Sequence, residues 1–365
     1  MPMADLIIAA GGKALAHIRK HGLSPNDISA IFGASGAAKW LAIAGIDHKI
    51  FARFMSQRTN KTPVDLFGTS VGAFKLSGAA RNDCGTIINI MADAYIAQSY
   101  AGEFDFNSID KQTDIVFEKF LGHGHNGDIS GGIAEVLANE KYRLHIGTVR
   151  CHGGLNARAW RQGIALARAA LLSTFTDRHL IGLTERTIFS DPRSDIHFTA
   201  RDGFSVRHAK LTAANFSKAL RASGAIPFYM QSVHFEKDPD HIYHDGGMLD
   251  YHPVPSNFWP QTEGLILYPH FYDHFKMRWF DKFYPWRKVP AHKFDNVIML
   301  SPSRDWVKDL PDGKIPSRQD FLKYRMNEAE RFEKWREVVR RSHALGEEFI
   351  DACQSGKISD LAQPL

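Results

Sequence analysis

Ser70 stands in Gly68-Thr69-Ser70-Val71-Gly72, directly after the apolar run 64–67 and directly before the small residues Ala73 to Ala80. A serine in that setting has a definite chemistry. Between a strand and a helix the chain must reverse sharply, and glycines on both sides allow the turn without a side-chain clash while lifting the hydroxyl clear of the backbone. The first turn of the following helix adds unpaired N–H groups and a positive dipole end, which favour an alkoxide and the oxyanion it forms on attacking a carbonyl. The spelling is short, and a plain glycine-rich turn between strand and helix also fits it.

An acid that can serve this hydroxyl lies far downstream. Tyr243-His244-Asp245-Gly246-Gly247 puts a carboxylate before paired glycines, which permit close backbone approach to another segment, and a carboxylate so placed can take the serine proton. Upstream of the elbow, Gly33-Ala34-Ser35-Gly36-Ala37-Ala38-Lys39-Trp40 follows an apolar strand end and enters a helix. Exposed backbone N–H groups in such a loop can hold an oxyanion. A dinucleotide turn competes for any loop of this kind, but the spacing is not G-x-G-x-x-G.

Taken in order, these pieces resemble the patatin-like phospholipases. The order is an oxyanion loop, the G-x-S-x-G elbow, a helix leading into Ser223-Gly224-Ala225-Ile226-Pro227, then the Asp-Gly-Gly turn, and the match spans about Gly33 to Val254. The resemblance implies a three-layer α/β/α fold with a largely parallel central sheet, and a lipid acyl hydrolase working through a dyad. Ser70 would be the nucleophile and Asp245 the base and acid. The N–H groups of Gly36, Ala37 and Val71 would form the oxyanion hole, with Gly33, Ser35, Lys39, Gly68, Gly72, Gly246 and Gly247 as supporting motif positions. Two departures stand out. Ser35-Gly36-Ala37 replaces the family's run of three glycines, and Trp40 stands where a glycine is expected. A positive φ at Ala37 would strain the turn.

Ordinary α/β hydrolases pair the same elbow with an acid and a later histidine. His252, His270, His274 and His292 all follow Asp245, but in a chain of 18 histidines their position says little. His123 and His125 have no third ligand at a metal-binding spacing, and Cys84, Cys151 and Cys353 are too far apart for a zinc or disulfide framework. No metal and no cofactor is expected.

The elements that position these residues follow from hydrophobic patterning. Residues 28–32, 64–67, 144–149, 196–200, 241–244 and 297–300 read as strands and 37–56 and 70–81 as helices, while the resemblance implies a helix over 213–223. That alternation yields a parallel sheet covered by helices, with function at the C-terminal strand ends where Gly33 and Ser70 fall. Residues 156–172 form an amphipathic candidate that either covers the site or lies on the surface.

At 365 residues, with 44% hydrophobic and 23% charged residues, the chain has the composition of a globular protein able to bury one large core. We expect a hydrolase domain over 1–316 and a helical extension over 317–365 packed on it. No apolar run is long enough to span a bilayer, and Met1 to Ala10 lacks a basic leader, so the location expected is cytoplasmic. The segment 268–288 interleaves aromatic and basic residues, which suits either peripheral contact with an anionic membrane surface or inward packing. No nucleic-acid recognition motif accompanies it. The reading that follows is a serine esterase forming an acyl-enzyme on Ser70. The alternatives are a Ser-Asp-His triad esterase and a catalytically silent lipid-binding or scaffolding protein of the same fold.

Overall fold

Apolar segments buried at nearly every position require cover on both faces, and they become the middle of one large sheet. The computed structural model describes residues 5–100, 105–156, 163–165, 168, 178–260, 264–284 and 286–365. Its strands are β1 (Leu6–Ala10), β2 (Ile28–Gly33), β3 (Val64–Thr69), β4 (Tyr142–Cys151), β5 (Thr184–Ser190), β6 (Val206–Lys210), β7 (Val233–Phe235), β8 (Asp238–Asp245), β9 (Leu265–Pro269), β10 (Val297–Pro302) and β11 (Gln363–Pro364). They order as β11-β1-β10-β9-β2-β3-β4-β5-β6, with β8 on β4 and β7 on β8. From β10 through β4 every pairing is parallel, and antiparallel pairings enter at β1–β10, β4–β5, β4–β8 and β7–β8. The result is a mixed α/β fold whose mostly parallel central sheet is flanked by helices, the three-layer arrangement expected.

Phe32 and Phe67 are register partners at the sheet centre, with rings 5.4 Å apart. Phe258 lies 4.8 Å from Phe67 and Trp259 5.0 Å from Phe32, so a loop rather than a helix supplies part of the cover there. This aromatic packing is dense, and it stiffens the strands whose ends carry the site.

The expected strand 196–200 does not form. Those residues lie in irregular backbone, with Thr199 N–H donating to the Phe258 carbonyl at 2.9 Å, and the sheet strand is the earlier segment β5. Phe198 is buried in the aromatic cluster, so apolar content reported packing rather than a ladder. Residues 37–57 are not one regular helix either. They wind as a 3-10 turn, a short α-helix Ala44–Lys49, a π turn and another 3-10 turn. Close packing sets that winding: a Cβ on Gly45 would stand 2.2 Å from the His343 nitrogen, and Gly45 N–H donates to Ser342 Oγ at 2.8 Å.

His343 and Ser342 belong to the long C-terminal helix Glu328–Gln354. Its buried Arg331 donates to the carbonyls of Ile96 and Gln98 at the end of the helix Cys84–Ile96, beneath the rings of Phe321 and Trp335. Beyond it, β11 adds a parallel strand to β1. Most of the amphipathic stretch 156–172 lies outside the described residues. Among the described residues no helix is long and apolar enough to cross a membrane.

Candidate functional site

A single residue, Ser70, separates β3 from the helix Val71–Ala79. The chain turns on it with φ 54° and ψ −131°, a left-handed conformation that costs a non-glycine residue about 1–3 kcal/mol and persists only when its surroundings hold it. Two contacts do so. The Ser70 N–H donates to Ser223 Oγ at 2.9 Å, and that hydroxyl donates to the Gly147 carbonyl at 2.7 Å. On the other side, the start of the elbow helix rests on the end of β2: a Cβ on Gly72 would stand 2.2 Å from the Gly33 carbonyl oxygen, which leaves only glycine there. Ser70 is buried at 6% exposure, at the bottom of a cavity rather than on the surface.

β4 brings Asp245 to it. In register, Thr69 at the end of β3 stands opposite Gly147, and Asp245 at the end of β8 stands opposite the next residue, Thr148. β3 runs parallel to β4 and β8 antiparallel, so the two strands approach end to end along one edge of β4. Their terminal residues become neighbours. Ser70 and Asp245 line the same small recess, where the Asp245 carboxylate accepts from Gly247 N–H at 2.6 Å and Asp245 N–H donates to the Ala225 carbonyl at 3.0 Å. Burial pushes the Asp245 carboxyl up to about 6, against the opposing pull of the Gly247 hydrogen bond, the neighbouring Ser70 hydroxyl, Arg318 and Lys282.

The loop after β2 joins the same assembly. Ser35 N–H donates to the Tyr251 carbonyl at 2.8 Å, and Thr69 Oγ1 donates to the Asp250 carbonyl at 2.8 Å. With its one proton committed there, Thr69 accepts from the Ser35 hydroxyl at 2.8 Å. Loop, elbow and Asp-Gly-Gly turn are thus one hydrogen-bonded unit. Gly36, Ala37 and Val71 donate no backbone hydrogen bond to any other group among the described residues. Ala37 does adopt positive φ, at 50°. Trp40, where a glycine was expected, is buried, and its indole N–H donates to Asp47 at 2.7 Å. Asp47 in turn holds Lys75 of the elbow helix at 2.8 Å, so the departure from the motif braces the elbow from beneath.

A cavity of about 770 Å³ opens above Ser70. Phe74, Tyr95, Ile109, Val116 and Met230 line its apolar part. A recess of about 40 Å³ adjoins it and contains Gly36, Ala37, Ser70, Asp245 and Gly247 together. Lys39, Lys282 and Arg318 border both. Neither contains His252, His270, His274 or His292 among its lining residues. His252 and His270 are instead buried against each other, with ring centroids 4.2 Å apart.

Three participants escaped the sequence reading as site residues. Ser223 was visible only as part of a motif, Lys282 only as one cation among many in 268–288, and Arg318 had no local signal because it lies in the tail. That aromatic segment divides: Tyr268, Phe271, Phe275 and Phe280 pack inward, while Phe283 and Trp286 stand exposed.

No protein-family model matches the chain, and no curated protein sequence does. Among solved structures, VipD from Legionella pneumophila aligns over 93% of this chain and 70% of its own, at 11% identity and a TM-score of 0.33. A likeness that slight leaves the functional reading to the site's own geometry.

Proposed function

We propose that the protein is a serine acyl-ester hydrolase of the patatin-like type, with Ser70 as nucleophile and Asp245 as its base and acid. One observation carries the reading: a serine held at positive φ shares one small recess with a buried carboxylate that lies 175 positions away in sequence (245 − 70). Asp245 takes the proton, Ser70 Oγ bonds to the ester carbonyl carbon, and the N–H groups of Gly36, Ala37 and Val71 receive the oxyanion. Collapse of that intermediate breaks the bond to the alcohol oxygen, which Asp245 protonates. Water then adds to the acyl-enzyme with Asp245 as base and releases the acid. A second alcohol in place of water would make the outcome acyl transfer.

The cavity supports a substrate with an apolar acyl chain, since its volume lies in the range of small-molecule sites and its interior is mostly apolar. Its rim carries Phe283 at 65% exposure and Leu322 at 55%, which suits an amphiphile and peripheral contact with a lipid surface. The absence of the downstream histidines from the cavity favours the dyad over a triad.

The test is hydrolysis of a p-nitrophenyl ester by the parent, Ser70→Ala and Asp245→Asn, with fluorophosphonate labelling mapped by mass spectrometry. Loss of turnover by at least a thousandfold in both variants, with the label on residue 70, is the expected result. An Asp245→Asn protein nearly as active as the parent rejects the dyad, and lipid binding without turnover in the parent identifies a silent relative instead.

A further inference from the structure

The wall of the large cavity is not apolar throughout. The helix Cys84–Ile96 and the residues that follow it bring Tyr95, Gln98 and Tyr100 to that wall, each buried at 8% exposure or less. The Tyr100 hydroxyl donates to Gln98 Oε1 at 2.9 Å, which fixes the amide and leaves Nε2 as its uncommitted end. Among the described residues neither Gln98 Nε2 nor the Tyr95 hydroxyl has a hydrogen-bond partner in the protein. The Tyr95 ring thus belongs to the apolar lining while its hydroxyl does not.

This stretch of wall is held in place from behind. Arg331 of the C-terminal helix donates to the carbonyls of Ile96 and Gln98, and Tyr100 N–H donates to Glu328 Oε1 of the same helix at 2.8 Å. The Tyr100 ring meets Phe321, itself a lining residue, edge-on at 4.9 Å. Tyr95, Gln98 and Tyr100 are all absent from the small recess that contains Asp245, so they face the part of a substrate away from the scissile bond. Thr113, another polar lining residue, has its hydroxyl committed to the Ile109 carbonyl at 2.9 Å.

A plain hydrocarbon chain that fills the cavity takes water from Tyr95 and Gln98 and gives nothing back. Leaving a buried donor unmatched costs about 1–3 kcal/mol, and a site built to bond an oxygen rejects the analogue that lacks it. Both free groups donate: the amide through N–H, and the Tyr95 phenol because burial raises it well above its ordinary value and keeps it protonated. Their complement is an acceptor oxygen. Both donors are neutral, which matches a hydroxyl or keto oxygen rather than a second charge.

We infer that Tyr95 and Gln98 form an oxygen subsite that selects substrates whose acyl chain carries a hydroxyl or keto group over plain chains of the same length. This rests on the hydrolase reading and narrows its substrate.

The test begins with binding. Calorimetry on Ser70→Ala compares methyl octanoate with the positional series of its hydroxy and keto derivatives, and at least one derivative should bind about tenfold more tightly although it is the less hydrophobic molecule. Equal or weaker binding of every derivative overturns the subsite, and this comparison needs no further variant to fold. Adding Tyr95→Phe, which keeps the ring and removes only the hydroxyl, should remove most of the preference. A preference that survives both Tyr95→Phe and Gln98→Leu overturns the assignment. In turnover by Tyr95→Phe, kcat/KM for the p-nitrophenyl ester of the preferred acid should fall about tenfold further than for p-nitrophenyl octanoate. An equal fall on both esters marks a packing role and also overturns the subsite. Preferential binding of the oxygenated ester by a parent that hydrolyses neither keeps the subsite and rejects the hydrolase; turnover of both esters at equal kcat/KM does the reverse.

Discussion

Ser223 holds Ser70 in its turn through the backbone, taking the Ser70 N–H at 2.9 Å and passing its own proton to the Gly147 carbonyl at 2.7 Å. One buried hydroxyl thus ties the end of the helix Phe216–Gly224 to the elbow and to the strand beside it. Ser223→Ala leaves a buried donor and a buried acceptor unmatched, at a cost of about 1–3 kcal/mol. We expect a folded protein with a lower urea midpoint and ester hydrolysis reduced at least tenfold. An unaltered kcat would show that the turn holds itself.

The Asp245 carboxyl, raised to about 6 by burial, sets a pH limb. The base must be ionised, so kcat/KM should fall tenfold per pH unit below about 6 and level off above it. The stability effect has the opposite sense. With the folded value above the unfolded one, the folded state holds the proton more tightly, and ionisation counts against folding as pH rises from about 4 to about 6. Asp245→Asn should therefore be inactive yet more stable than the parent at pH 8, by on the order of 2–3 kcal/mol, with the difference closing near pH 4. Thermal unfolding at the two pH values measures it.

Ala37 sits at φ 50°. A side chain in that region costs about 1 kcal/mol relative to glycine, while glycine adds entropy to the unfolded chain. Ala37→Gly should leave the unfolding midpoint equal or raised, in contrast to the loss usual for Ala→Gly. A drop of 1 kcal/mol or more in chemical denaturation would mean the methyl contributes packing that outweighs the strain.

Lys75 and Asp47 are buried beneath the elbow and paired at 2.8 Å, with the Trp40 indole on the same carboxylate. Lys75→Met strands the Asp47 charge, and a loss of about 3–5 kcal/mol is expected. Lys75→Met with Asp47→Leu removes both charges and should recover part of that loss. A double variant less stable than the single one would show that the pair contributes more than its desolvation costs. Denaturant titration of both variants decides.

The elbow, the loop and the Asp-Gly-Gly turn were legible because each is a local matter: glycines at 33, 68 and 72 stand where backbones touch or turn, and apolar runs at 28–32 and 64–67 form strands buried on both faces. The same local logic misread 196–200, where a buried phenylalanine belongs to a cluster and not to a ladder. Lys282 and Arg318 gave no signal, since a cation beside the site differs from a surface one only in its surroundings. Residue types and spacing thus determined which groups are candidates for chemistry and the class of fold that displays them. Only tertiary structure decided that they meet, because β4 aligns β3 and β8 end to end at Gly147 and Thr148. That register comes from pairing across some 175 intervening positions, and it is written in no single segment.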